Sequence, residues 1–261
     1  MNFYNTVAKY YDRMTDVEGR QQTARNFVSE LRQRYTFGSA LDVACGTGLY
    51  AKALAELGVN PVVGVDISEK MLDIARRQAD ADNLSIVWRK VPMRKLACIG
   101  ETFDIILCLG NSIPHILTHN DLVDTLNGFH DRLTPGGHCV LQVLNYDRIL
   151  RDRERIVSIN RHGNKEFVRF YDFHPPTVTF NLLTITWMND DYTHNIQSTE
   201  LYPYTRAELA QAMSQHGFRD LSFFNHLTFE PFEVDSSPTL TIIARREQIP
   251  ESVNKGGGCH A

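Results

Sequence analysis

The apolar positions of this chain follow two rhythms, and the change between them marks its organisation. Ala24, Phe27, Val28 and Leu31 recur at helical spacing. The short apolar run "ALDVAC" predicts a strand over 40–45. Tyr50, Ala53, Leu54 and Leu57 return to the helical period, and Gly58 suits the left-handed position after a helix. "PVVGVD" at 61–66 is a second strand, and Ser68 can cap a helix that carries Met71, Leu72 and Ala75. "LSIVW" and "FDIILCLG" predict two more strands. Leu122, Leu126, Phe129 and Leu133 predict a helix stopped by "TPGG", and "HCVLQVL" follows as a strand. Continuous apolar strands alternating with helices argue for a parallel sheet covered on both faces. Ligands of such sheets bind at the carboxyl ends of the strands, near the point where strand order reverses.

After Asn145 the rhythm changes. "EFVRFYDF", "TVTFNLLTITW" and "NIQSTELYPY" predict three strands with no long helix between them, an antiparallel insertion. "TRAELAQAMSQHG" restores a helix, with Thr205 as cap, Glu208 three residues on and Gly217 at its end. "FRDLSFF" and "SPTLTIIARR" close the first sheet. The expected division is therefore an N-terminal lid and helix over 1–38, a core over 39–145, an insertion over 146–204 and the rest of the core over 205–246. A polar, glycine-rich tail is expected over 247–261; its Cys259 and His260 are too few to close a metal site.

The junction between the first strand and the helix after it, "LDVACGTGLYAKAL", places Gly46 and Gly48 between Asp42 and the helix. Glycine there permits positive φ and lets a ligand approach the backbone, while the helix start offers unpaired N–H groups. Asp66 lies at the end of the second strand, the usual place of a carboxylate that holds ribose hydroxyls. A nucleotide-type cofactor follows. A dinucleotide fingerprint would read G-x-G-x-x-G, whereas this chain has A-x-G-x-G from Ala44 to Gly48, with an acid before it. A carboxylate at that place repels pyrophosphate and welcomes an ammonium and a sulfonium, both of which S-adenosylmethionine carries.

"LDVACGTG" resembles the first motif of class I S-adenosylmethionine-dependent methyltransferases, and "GVDIS" followed by "EKML" their second. "FDIILCLGNSIPHIL" and "LTPGGHCVLQVLNYD" resemble the fourth strand and its successor in the glycine/sarcosine N-methyltransferase-like, small-molecule group. The resemblance implies a Rossmann-like α/β fold: a seven-stranded, mostly parallel sheet with helices on both faces, plus the small antiparallel insertion. It implies S-adenosylmethionine as cofactor, with Asp42, Ala44, Gly46 and Gly48 around its methionine part and Arg20 on its carboxylate. Asp66 would take the ribose. Ile67 and Met71 would pack on adenine, although Met71 equally suits a core position. The third motif departs from its relatives: "KVPMRKL" has Pro92 where many have an aspartate, so Met93 would offer only its backbone.

Leu109 and Gly110 end the fourth strand, where Gly110 would let the acceptor approach and Asn111 would offer an amide to the nucleophile. His115 is a second catalytic candidate, as a proton acceptor. Either could instead be structural, Asn111 as a cap and His115 as a satisfied histidine. One tyrosine of the lid, Tyr4, Tyr10 or Tyr11, would cover the methyl group, with Tyr11 the candidate for acceptor binding. Leu144 stands where the glycine-type enzymes have an arginine before "NYD", so the family's carboxylate anchor is missing at that place. Arg169 is a replacement only if the insertion folds it into the same pocket. Tyr171 and Tyr204 would help form the acceptor wall, or simply the insertion's core.

The remaining composition narrows the classes. The chain has 261 residues, 43% hydrophobic and 22% charged, with a net charge of −4, which does not favour nucleic acid. It holds no apolar stretch of the length a membrane span needs. Five scattered cysteines and a start without signal-peptide character predict reduced thiols in the cytoplasm. The expected partner is a small-molecule acceptor, with a homo-oligomer possible, no nucleic acid and no membrane. Methyl transfer to an amine nitrogen is the leading reading. A small-molecule O-methyltransferase and a non-catalytic cofactor-binding partner subunit stay open beside it, while "LGNS" stands where DNA amine methyltransferases usually carry Asp/Asn-Pro-Pro-Tyr.

Overall fold

A computed structural model describes Phe3, residues 17–189 and residues 191–247. Helix α1 (Val17–Arg34) leads into strand β1 (Ala40–Val43). Then come α2 (Leu49–Glu56), β2 (Val62–Asp66), α3 (Glu69–Ala81) and β3 (Val87–Lys90). Strand β4 (Phe103–Cys108), α4 (His119–Arg132) and β5 (Leu133–Leu144) complete the alternating part. These strands pair in parallel, in the order β5-β4-β1-β2-β3. The reversal at β1 and β4 puts a crevice beyond their carboxyl ends.

Sequence periodicity placed these elements because β1, β2 and β4 are buried on both faces. Leu41, Val43, Ile106 and Cys108 join the core under α4, while Ala40, Ile105 and Leu107 join the core under α1 and α2. Local signals held as well. The Ser68 hydroxyl accepts the Met71 N–H, and Thr205 forms a full capping box with Glu208 at the start of α6 (Arg206–Gln215).

Three expectations are corrected. The main sheet has eight strands, since β11 (Glu230–Pro231), a two-residue strand, adds to β10 (Phe218–Asn225) outside the expected seven. Strand β12 (Thr239–Arg246) runs antiparallel between β10 and β5. Next, "TPGG" does not merely stop α4: β5 runs through it, with a register shift against β4 between Phe103 and Ile105. Last, the insertion has four strands rather than three. It follows a short helix, α5 (Tyr146–Asp152), and reads β6 (Ile156–His162), β7 (Lys165–His174), β8 (Thr177–Met188) and β9 (Asp191–Leu201), paired antiparallel in that order. Strand β6 has no apolar alternation because only Ser158 in it is even half-buried; pairing with β7 makes it a strand.

Among the described residues, no helix is long and apolar enough to cross a membrane. Cys108 and Cys139 are buried, Cys45 half-buried and Cys98 exposed, all as free thiols; Cys259 and the tail from 248 lie outside the described residues.

Candidate active site

The turn after β1 is built from unusual backbone. Ala44 has φ 55, Gly46 φ 56 and Gly48 φ 82, so three of five consecutive residues are left-handed. That conformation is costly for alanine and survives because the surroundings fix it. The Asp42 carboxylate accepts the Ala51 N–H at 3.0 Å, tying β1 to α2. The Asp66 carboxylate accepts from Gly46 N at 2.9 Å and from Ser68 N at 2.7 Å, tying the turn to the end of β2.

A cavity of about 370 Å³ opens above this turn. Asp42, Ala44, Gly46, Asp66, Ile67, Met71, Met93 and Leu109 all line it, and so does Arg20 from α1. A Cβ at Gly46 would meet nothing within 4 Å, so this backbone faces open space that a ligand can enter. Burial pushes the Asp42 carboxyl up to about 7; the Ala51 N–H opposes that rise and the neighbouring Asp66 adds to it. Asp66 is raised too, again by burial, against the Ser68 and Gly46 N–H groups. Two buried carboxylates bordering one cavity suit a ligand with a cationic end and hydroxyl groups.

Gly48 is a correction. It does not line the cavity but lies beneath it, where an added Cβ would come within 2.4 Å of the Trp88 ring and 3.1 Å of Ala75. Its small size serves helix–strand packing. Reading the sequence also missed Thr47, Tyr50, Arg94 and Asp121 on the cavity wall. Arg94 follows Met93 directly and could have been found from it. Asp121 reaches the wall from α4, 3.5 Å from Arg94, a placement without local signature.

A second cavity, of about 330 Å³, lies between the end of β5 and the inner face of the insertion. Asn111, Leu144, Arg169 and Tyr171 line it, with Phe3 and Phe180, whose rings meet edge to face at 6.0 Å. Gly110 and His115 line both cavities. Gly110 has φ 71, and a Cβ there would again meet nothing within 4 Å. Leu144 and Arg169 share this cavity, so the condition set for a replacement anchor is met geometrically.

Asn111 sits in this second cavity with its carboxamide engaged. Its Oδ1 accepts the Leu144 N–H at 3.0 Å, and its Nδ2 donates to the Tyr146 hydroxyl at 2.9 Å. The Gln142 side chain and carbonyl hold Gly110 N and Asn111 N at 3.1 and 3.2 Å. The loop between the cavities is thus clamped to β5 and α5. Burial pushes His115 down to about 4, so it is a neutral imidazole at neutral pH and a poor base. Tyr204 lies outside both cavities: its ring stacks near Tyr202 and its hydroxyl donates to the Ile116 carbonyl at 2.8 Å. Tyr4, Tyr10 and Tyr11 fall outside the described residues.

Comparison with known proteins agrees with this arrangement. Residues 40–137 match the family described as "Methyltransferase domain". The chain is 27% identical over 215 residues to a glycine/sarcosine N-methyltransferase of Parasynechococcus marenigrum, covering 82% of this chain and 74% of that protein. It is 26% identical over 187 residues to a ubiquinone biosynthesis O-methyltransferase of Actinobacillus pleuropneumoniae, covering 59% of this chain and 75% of that one. A crystal structure of an S-adenosylmethionine-dependent methyltransferase from Clostridium acetobutylicum shares the fold, with a TM-score of 0.79 at 18% identity over 94% of this chain and 100% of that one. Residues 40–137 are thus a methyltransferase domain, and with the glycine turn, the paired carboxylates and the strand order these matches support a class I S-adenosylmethionine-dependent methyltransferase.

Proposed function

We propose that the chain methylates a small-molecule acceptor held in the second cavity, at an amine nitrogen. One observation carries this reading: two cavities of ligand size meet at Gly110 and His115. S-adenosylmethionine supplies a methyl group already activated by its sulfonium. In this reading the residues of the first cavity hold the donor: Asp42 takes the ammonium, Arg20 the carboxylate and Asp66 the ribose hydroxyls. Met71 and Ile67 border the adenine, with Met93 at its edge. Gly110 leaves the passage clear for the nucleophile. The clamp on Asn111 fixes that passage, so Asn111 acts mainly by positioning, with its second N–H available to the acceptor. Orientation of this kind can supply much of the rate.

The acceptor nitrogen uses its lone pair on the methyl carbon as the carbon–sulfur bond breaks, and the bond pair stays on sulfur. Its extra proton must leave. His115 is too weak a base to take it at neutral pH, so the amine reaches the site uncharged or loses the proton to water. The relative named as an N-methyltransferase matches 82% of the chain, which reaches beyond the core, and the one named as an O-methyltransferase 59%. That difference favours nitrogen; a hydroxyl acceptor is the second reading. Reduced thiols fit a cytoplasmic setting.

The test is a methyl-transfer assay on amines and phenols, read as S-adenosylhomocysteine formed. Gly110→Ala should lower turnover at least tenfold while cofactor affinity in calorimetry stays within a few-fold. Undiminished transfer in that variant would show that the two cavities do not meet at the reacting atoms.

A further inference from the structure

The second cavity has apolar walls, and the polar side chains among them are engaged with the protein itself. Val143 and Leu144 come from the end of β5, Tyr171 from β7, Phe180 and Leu182 from β8 and Leu201 from β9. Tyr171 and Phe180 are cross-strand partners, with ring centres 5.8 Å apart. Val143, Tyr171, Leu182 and Leu201 are all buried.

The polar groups of the same wall have partners. The Gln142 carboxamide oxygen accepts the Gly110 N–H, and the Thr239 hydroxyl meets His226 Nδ1 at 3.3 Å. The Tyr171 hydroxyl is hydrogen-bonded to that of Tyr146. Arg169 Nη2 lies 2.7 Å from the Asn160 carboxamide oxygen when that amide is turned to suit its neighbours. Asn111 engages its oxygen with Leu144 N and one N–H with Tyr146, and keeps its second N–H next to Gly110. A sugar or an amino acid placed here would give up water from several polar groups and find few partners. Each group left unmatched costs roughly tenfold to a hundredfold in affinity. A hydrocarbon body carries no such cost and gains by leaving water.

Building on the acceptor reading of this cavity, we infer that the acceptor is amphiphilic: one nucleophilic nitrogen or oxygen at Gly110, carried on an apolar body, an alkyl chain or an aromatic ring, that fills the space between the end of β5 and the insertion. Leu144 is then part of the wall that selects this body, which is a reason for leucine at that place. The volume of about 330 Å³ suits a body on the order of ten heavy atoms, at roughly 30 Å³ for each water-sized group.

The experiment uses the full chain saturated with S-adenosylmethionine. The acceptors are straight-chain primary amines from ethylamine to decylamine, benzylamine and phenethylamine, a series of 4-alkylphenols, and the polar amines ethanolamine, glycine and glucosamine. In the amine or the phenol series, kcat/KM should rise about threefold to fourfold per added methylene, the worth of a buried CH₂, and fall once the chain outgrows the cavity. Benzylamine against hexylamine separates ring from chain. Each polar amine should run at least tenfold below the apolar amine nearest to it in size. Leu182→Ala, which widens the cavity, should move the best chain length up by one or two carbons, and Leu182→Phe should move it down. Unchanged cofactor affinity in calorimetry shows that the variants fold, and the natural chain's own series is a complete test without them. A kcat/KM independent of chain length, or polar amines that match the apolar ones, would overturn the inference while leaving methyl transfer intact. So would an optimum that stays in place in folded Leu182→Ala. Failure of every acceptor, polar or apolar, would strike the proposed function itself.

Discussion

Asp42 and Asp66 border the same cavity, and burial raises both carboxyls. Asp42 has its carboxyl raised to about 7 from an ordinary 3.8. Between those values the folded chain keeps a proton that the unfolded chain has lost. Stability of the ligand-free protein contributed by this group is therefore lost as pH rises from about 4 to about 7. A cationic ligand reverses that preference by favouring the ionised form. Asp42→Asn should thus raise the melting temperature of the ligand-free protein relative to the natural chain, increasingly from pH 5 to pH 8, while weakening S-adenosylmethionine and flattening the pH dependence of its affinity. Thermal melts and calorimetry across that range would check both halves. Asp66 also anchors the turn through Gly46 N and Ser68 N. Asp66→Ala should therefore cost more affinity than two ribose hydrogen bonds of roughly 1.5–3 kcal/mol each, since it also frees the loop. Unchanged affinity would refute the assignment. His115, at about 4, predicts a third behaviour: at saturating cofactor, kcat/KM between pH 6 and 9 should follow the pKa of each acceptor amine and show no inflection from imidazole. An inflection that stays fixed across amines of different pKa would assign a protein base.

At the scale of elements, the turn between β1 and α2 depends on a glycine that touches no ligand. Gly48→Ala would drive a methyl into Trp88 and strain a φ of 82, so it should destabilise by about 1–3 kcal/mol in denaturant melts. Its effect on the cofactor should be indirect, through the position of α2. Neither Thr205 nor Glu208 of the α6 capping box lines a cavity; Thr205→Ala should cost about 1 kcal/mol of stability with kcat unchanged. The contrast between β4 and β6 shows what the pattern of residues could reveal. Phe103–Cys108 is buried at five of six positions and half-buried at Asp104, so its apolar run alone identifies it. Strand β6 is exposed nearly throughout, so its identity comes only from the register with β7.

For the whole molecule, the main sheet carries the cofactor cavity and the insertion closes the other. Cofactor binding should therefore act on the stability of the entire core. At a hundredfold excess over Kd it adds about 2.7 kcal/mol, which for a chain of this size means a rise of roughly 5–10 °C in melting temperature. Substitutions confined to the insertion, such as Arg169→Gln, should leave that shift intact.

Sequence alone determined the alternating core, the glycine turn with its two carboxylates, and the cofactor. The turn and its carboxylates lie between residues 42 and 66, and each step of the core obeys local rules of strand, turn and cap, so these features can be read in one dimension. Tertiary structure decided what no local rule contains. It brought Arg169 and Leu144, on different sheets, to one cavity. It put Gly110 and His115 on the walls of both cavities, and engaged the Asn111 amide with Leu144 and Tyr146. It left Gly48 and Tyr204 off the walls of both cavities and brought Asp121 to the wall of the first. Each of these depends on packing between elements distant in the chain, which the spacing of residues along it does not encode.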